Sequence, residues 1–231
     1  MAKKVFIGVG HGGKDSGAVA NGIKEKDANL VIAKALKDEL TRHGVEVKMS
    51  RTTDTTESLE QRIKECNAFK PDVALDIHNN AGGGDGAECY HYHKGGMSKT
   101  LAVNILDCIK VIGQNSRGAK TKLNSGGKDY FGFIRETTAP AVIVECAFLD
   151  NKKDVKIIDT AAEQKKMGVA IAKGVLKTLG ILWRPEPAPK PASDSNTLYR
   201  VQVGAYSDKS NAEKMLAKLK KAGFTAVIVK V

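Results

Sequence analysis

The 231-residue chain has no apolar run approaching the ~20 residues that a membrane-crossing helix needs, so no such span is expected. Aromatic residues are scarce, at 5% with a single tryptophan, and no segment resembles a nucleic-acid-binding module; a nucleic-acid partner is not expected. The four cysteines (Cys66, Cys89, Cys108, Cys146) lie far apart without a C-x-x-C pair, which speaks against a cysteine zinc site or a disulfide framework and for reduced thiols. The start, Met1–Ile7, reaches Gly8 too soon for a signal-peptide apolar region, and no small-residue cleavage site follows. Synthesis and retention in the cytoplasm, until something else releases the chain, is the expectation.

What is present suits one medium domain plus something small: 42% apolar and 27% charged residues, enough for a buried core. The formal net charge is +11, and residues 197–231 alone carry seven basic against two acidic side chains. Such a balance points to an anionic polymer as partner.

Lys4–Val9 reads as a strand ending at glycine, and residues 10–22, rich in Gly, Asp, Ser and Asn, as a loop. Leu30, Ile32, Ala33, Leu36 and Leu40 recur at helical spacing between about Glu25 and His43. Strands are expected at Val45–Met49, Val73–Ile77, about Ala87–His93 and Pro140–Cys146. Helices are expected at Ser58–Phe69, 98–113 and 160–179. Alternation of this kind predicts an α/β fold, a three-layer sandwich with a mostly parallel sheet, whose sites lie beyond strand carboxyl ends. The alternating prolines of Arg184–Pro191 mark a semi-rigid spacer. After it, Leu198–Tyr206, a helix carrying Met215, Leu216 and Leu219, and Phe224–Val229 predict one small C-terminal β-α-β unit, too small to bury a core alone. The expected organisation is a catalytic domain at 1–182, a linker at 183–196 and a small module at 197–231.

Four separated segments carry the chemistry: His11 between glycines, Glu25 at a helix start, His78 at the end of an apolar strand, and Glu145 inside Ala141–Glu145. Each has an ordinary reading, from a solvated loop histidine to a residue complementing a helix dipole. Glu145 is the least ordinary, because a carboxylate in an apolar strand is costly unless paired, protonated or on a metal. Two imidazoles, a carboxylate and an open position make the ligand set of a hydrolytic zinc site, and a further carboxylate handles protons. The chain therefore reads as a hydrolase. His91 and His93 read as part of a Tyr- and His-rich surface strand, His43 as a dipole complement, and Asp15 and Asp76 as turn or strand-end residues. Arg135 is open between a substrate clamp and a surface ion pair with Glu136.

Taken together, His11–Ala18, Glu25, Ser50-Arg51-Thr52, Ile77–Ala81 and Val144–Asn151 resemble the zinc-dependent N-acetylmuramoyl-L-alanine amidases of the Amidase_3 type over roughly residues 3–180. The resemblance implies Zn2+ on His11, Glu25 and His78, with Glu145 as catalytic glutamate and Asn79 and Arg135 as weaker substrate-binding candidates. It departs at Gly8-Val9, at Asp76 where the family pattern has serine, and at Ala147 where it has glycine; no ligand position is lost. The tail resembles half of a SPOR peptidoglycan-binding module. The implied function is peptidoglycan hydrolysis at the amide between N-acetylmuramic acid and L-alanine, as a phage endolysin or a bacterial autolysin acting on the wall after release or lysis. A zinc peptidase cutting stem peptides and an inactive wall-binding protein are the alternatives. A homodimer through the half module follows as a further expectation.

Overall fold

The computed structural model describes residues 2–186 and 201–230. Its first unit, residues 1–184, is built on a six-stranded sheet. The strands are β1 (Lys4–Val9), β4 (Glu46–Met49), β5 (Val73–Asn80), β6 (Ala87–His91), β7 (Ser116–Lys120) and β8 (Ala141–Phe148), in spatial order β4-β1-β5-β8-β6-β7. The first four in that order are parallel; β6 runs antiparallel to β8, and β7 parallel to β6. The sheet is thus mixed but mostly parallel, as the alternation of elements predicts.

One face carries α1 (Glu25–Arg42), α3 (Met97–Val111) and α6 (Ala161–Thr178). They cover the larger core: Val5, Ile7, Leu75, Ile77, Val142 and Val144 meet Leu36, Ile105 and Ile171, all without solvent exposure. The other face carries α2 (Leu59–Phe69) and the short α4 (Gly132–Glu136) over a smaller cluster of Phe6, Ile63, Cys66, Ala74, Phe133 and Ala141. Residues alternate between these faces along each strand, so β5 sends Leu75 and Ile77 into the large core and Asp76 and His78 toward the thinly covered side. That asymmetry leaves room for a cleft.

Several features depart from the sequence expectations. The 10–22 loop ends in a small hairpin, β2 (Val19–Ala20) with β3 (Ile23–Lys24), and β7, α4 and α5 (Lys152–Val155) have no periodic signal. The strand bearing His91 is interior, between β8 and β7, and His91 is buried; His93 lies beyond it with Nδ1 at 2.7 Å from Asp129. Trp183 and Arg184, assigned by composition to the linker, are fastened to α1: the indole N–H donates to Glu39, and the Arg184 N–H to His43 Nε2 at 2.9 Å. Most of the linker, residues 187–196, lies outside the described residues.

In the second unit, residues 185–231, the helix α7 (Lys209–Lys221) forms as expected, N-capped by Asp208. The two flanking strands are not formed among the described residues: Val201–Tyr206 and Phe224–Lys230 carry no ladder, and residues 198–200 lie outside them. The reason is physical. Two strands and one helix of this size bury too little apolar surface to order a sheet alone, and α7 has no buried residue.

Candidate metal centre and active site

β1 ends at Val9, and the chain must turn at once to bring His11 back over the sheet edge. His11 takes a left-handed conformation, φ 60°, which is costly for a residue with a Cβ and persists only where the surroundings enforce it. Here the enforcement is explicit. The buried Arg51 guanidinium donates to the carbonyls of Val9, Gly10, Lys26 and Thr53 at 2.8–3.2 Å, and Asn29 donates to Gly10. Gly10 itself is required, because a Cβ there would overlap the His78 ring.

Glu25, the first residue of α1, is almost fully buried at 4% exposure. Its Oε1 accepts the Asn79 N–H at 3.0 Å and its Oε2 the Ala18 N–H at 3.0 Å, which fixes the carboxylate plane. Oε2 then stands 3.1 Å from His11 Nε2, and Oε1 3.0 Å from His78 Nδ1. One ligand atom from each of His11, Glu25 and His78 lies within 4.8 Å of the others, an arrangement able to hold a metal ion. The two imidazoles stand edge to face, centroids 5.1 Å apart.

Each imidazole has its remote nitrogen on a carboxylate. Asp15 Oδ2 is 2.7 Å from His11 Nδ1, and Asp76 Oδ2 is 3.5 Å from His78 Nε2. A carboxylate on the far nitrogen fixes tautomer and ring orientation in metal sites. Asp76, 2% exposed, is in turn held by Arg62 through Nη1 at 3.1 and 2.9 Å, and Arg62 Nε donates to Glu57 at 3.2 Å. Both aspartates are therefore part of the site, beyond their reading as turn and strand-end residues. The signal was available: Asp76 and His78 are two apart on one strand and must share a face.

The electrostatics follow from these contacts. Burial pushes the Glu25 carboxyl upward, but hydrogen bonds with both imidazoles outweigh it and hold the group well below the usual carboxylate range. For Asp76, burial is opposed by the Arg62 charge and then by His78, leaving about 2. Burial disfavours the charged His78 ring, yet Asp76 and Glu25 raise it to about 10. Glu145 goes the other way: burial pushes it up to about 7, which His78 opposes and Glu25 and Glu88 reinforce.

Glu145 is the direct neighbour of His78 in the β5–β8 register and so projects from the same face. Its Oε2 is buried and has no hydrogen-bond partner among the described residues. A buried, unpartnered carboxylate oxygen beside a ligand cluster is the mark of a group held for chemistry rather than stability. A cleft of about 260 Å³ opens here, lined by His11, Asp76, His78, Leu59, Phe131 and Ile143 among others.

The other two candidates fall elsewhere. Strand alternation turns the Asn79 side chain to the opposite face, where it is buried and donates to Asn29 at 2.8 Å; its backbone N–H, not its amide, serves the site. Arg135 donates to the carbonyls of Asp129 and Tyr130 and to Glu136, so it clamps a loop and does not line the cleft.

An open α/β cleft beside a His-Glu-His cluster able to hold a metal ion, with a further carboxylate next to it, is an arrangement suited to hydrolysis. The comparisons give the particular family. The N-acetylmuramoyl-L-alanine amidase family (Amidase_3) matches residues 5–177, and the SPOR domain family matches residues 172–230. The chain is 35% identical over 230 residues to the N-acetylmuramoyl-L-alanine amidase CwlM of Bacillus licheniformis, covering 98% of this chain and 84% of that one. It is 36% identical over 216 residues to the endolysin of Bacillus phage SPP1, covering 87% and 77%. Among solved structures, Cwp6 from Clostridium difficile superposes with a TM-score of 0.76 at 41% identity over 78% of this chain, which spans 30% of the length of that structure. The chain belongs to the N-acetylmuramoyl-L-alanine amidases and is a peptidoglycan hydrolase. The SPOR match begins inside α6, whose Ala172, Val175 and Leu176 are buried in the first unit, so its opening turns belong to the catalytic core.

Proposed function

We propose that the chain cleaves the amide between N-acetylmuramic acid and L-alanine at a zinc site formed by His11, Glu25 and His78, with Glu145 as general base and acid. The observation that carries this is the buried, unpartnered Glu145 oxygen beside the His78 ligand. The donor set of two imidazole nitrogens and one carboxylate suits zinc, and the carboxylates behind each imidazole support that fit. When bound, zinc supplies Lewis acidity toward a carbonyl oxygen and toward water. Glu145 takes the proton of the attacking water and delivers it to the departing L-alanine nitrogen. Burial raises its affinity for a proton above that of an ordinary carboxylate, which suits a group that must both accept and return one. Asp15 and Asp76 keep each ring turned so that His11 Nε2 and His78 Nδ1 face the shared point.

Residues 1–184 form the catalytic domain, 185–196 a linker and 197–231 a half SPOR-like module. The module binds the wall and joins a second copy, whose matching half supplies the missing neighbours of Val201–Tyr206 and Phe224–Val229. The excess of basic residues suits an anionic wall polymer as a second contact. The setting is that of an endolysin or an autolysin, reaching the wall after lysis or release from the cytoplasm. Among the described residues no helix is long and apolar enough to cross a membrane.

Digesting purified peptidoglycan and identifying the new termini by mass spectrometry tests the reaction. Free amino-terminal L-alanine with intact muramic acid lactyl groups is expected, whereas cuts within the stem peptides would make the protein a peptidase. Light scattering tests the pairing: a monomer at micromolar concentration rules it out.

A further inference from the structure

Beside the catalytic carboxylate lies a second built feature that the reaction above does not use. Glu88 of β6 stands directly opposite Glu145 in the antiparallel β6–β8 pair, on the same face of the sheet, and is 3% exposed. Its Oε1 takes both Arg117 Nε and Lys120 Nζ from β7, and its Oε2 accepts the Tyr90 hydroxyl at 3.0 Å. Residues three apart on a regular strand face opposite sides. Arg117 and Lys120 converge because β7 bulges there: one residue of β6, Glu88, faces two of β7, Arg117 and Gly118, with Gly118 at φ 87°. Bulges re-aim side chains next to active sites.

The result is one buried carboxylate against two partly exposed cations. Arg117 lays its guanidinium over the Phe148 ring, 5.3 Å to the centroid, and spends only Nε on hydrogen bonding among the described residues, leaving both terminal amino groups of the fork without a hydrogen-bond partner. A guanidinium with that edge open is matched to a carboxylate. The position fits the substrate. Neighbouring strands are about 4.8 Å apart, so the cation heads, which reach Glu88 from β7 on its far side, sit between one and two strand spacings, ~5–10 Å, from Glu145. One residue of an extended peptide spans about 3.5 Å. With the scissile amide at Glu145, the stem residue after L-alanine reaches the cations, passing Tyr90 and Phe131, whose rings pack at a 54° tilt with centroids 4.7 Å apart.

We propose that Arg117 and Lys120, held on Glu88, form a binding site for a free carboxylate on the stem peptide next to the scissile L-alanine, so that the enzyme prefers acidic over amidated stems. This rests on the amidase reading above and extends it to substrate choice.

The test uses wall peptidoglycan with free stem carboxylates, stripped of anionic polymers, either intact or amidated with carbodiimide and ammonia. The readout is kcat/KM for release of amino-terminal L-alanine by the full chain. The wild-type protein is expected to favour the intact wall by about tenfold, the scale of a charge-assisted hydrogen bond. Arg117→Gln with Lys120→Gln should lose that factor on the intact wall and treat both walls alike, while Arg117→Lys with Lys120→Arg should keep the preference. Should the double Gln variant fail to fold, Lys120→Gln alone, which leaves Arg117 on Glu88, is expected to lose part of the preference. Equal wild-type rates on both walls overturn the proposal, as does a preference undiminished in these Gln variants, which would trace it to overall wall charge. If no L-alanine termini appear from the intact wall, the amidase reading itself fails, and this site falls with it.

Discussion

Replacing Asp76 by Ala removes the group that joins Arg62 to the His78 ring, and its cost can be worked from the structure. Asp76 and Arg62 form a buried pair with both carboxylate oxygens engaged. Breaking a buried pair from one side costs about 3–5 kcal/mol, because it strands the remaining charge. Glu57, 3.2 Å from Arg62 Nε, still offsets part of that charge, which places the loss near the lower end, about 3 kcal/mol. For a chain of this size that lowers Tm by roughly 6–12 °C. The pH dependence adds a second handle. The folded-state value of Asp76 is depressed to about 2 from an ordinary 3.8, so its ionisation stabilises the fold above pH ~4 and that contribution disappears as pH falls through about 2. The depression corresponds to about 2 kcal/mol. Urea melts at pH 7 and across pH 4 to 2 should therefore show wild type and Asp76→Ala far apart at neutrality and converging in acid. The companion Arg62→Leu/Asp76→Leu should recover part of the loss, since no charge is stranded. A variant as stable as wild type at pH 7, or a gap that does not narrow in acid, refutes the reasoning.

Glu145→Gln should lower turnover roughly 10²–10⁴-fold with zinc stoichiometry unchanged, read by wall clearing and metal analysis; retained activity rules out its role. The rate should fall as pH drops through a limb at or below about 7, because a cation at the ligand cluster can only lower the Glu145 value; a flat kcat/KM profile between pH 5 and 8 contradicts this. Chelation should abolish activity and zinc restore it, and the metal affinity should weaken on acidification as protons compete for both imidazoles. Gly10→Ala should displace the His78 ring and cut zinc affinity by tenfold or more, measured by competition with a chelating dye; unchanged affinity would mean that the turn yields elsewhere.

Much of the site was legible because its parts sit at element ends that the apolar pattern marks. The run Lys4–Val9 fixes where β1 stops, and the run Val73–Ile77 puts His78 near the carboxyl end of the interior strand β5. A carboxylate interrupting Ala141–Phe148 stands out for the same reason. Those are local signals, carried by periodicity and by the cost of burying charge. The hairpin β2–β3 and strand β7 have no such signal, since Ser116-Arg117-Gly118-Ala119-Lys120 contains no β-branched residue and is a strand only because β6 offers an edge.

By itself, then, the order of residues determined the α/β layering and marked His11, Glu25, His78 and Glu145 as candidates for one site. Only the tertiary structure decided which side chains reach the cleft. Asn79 follows His78 in sequence yet faces the other way because a strand alternates, and Arg135 spends its donors on loop carbonyls. Arg51 gains its role from carbonyls that folding brings to 3.2 Å, those of Val9 and Gly10, 42 and 41 residues away in sequence. Hydrogen bonds of that kind are satisfied across elements, and no pattern along the chain encodes which partner burial will supply.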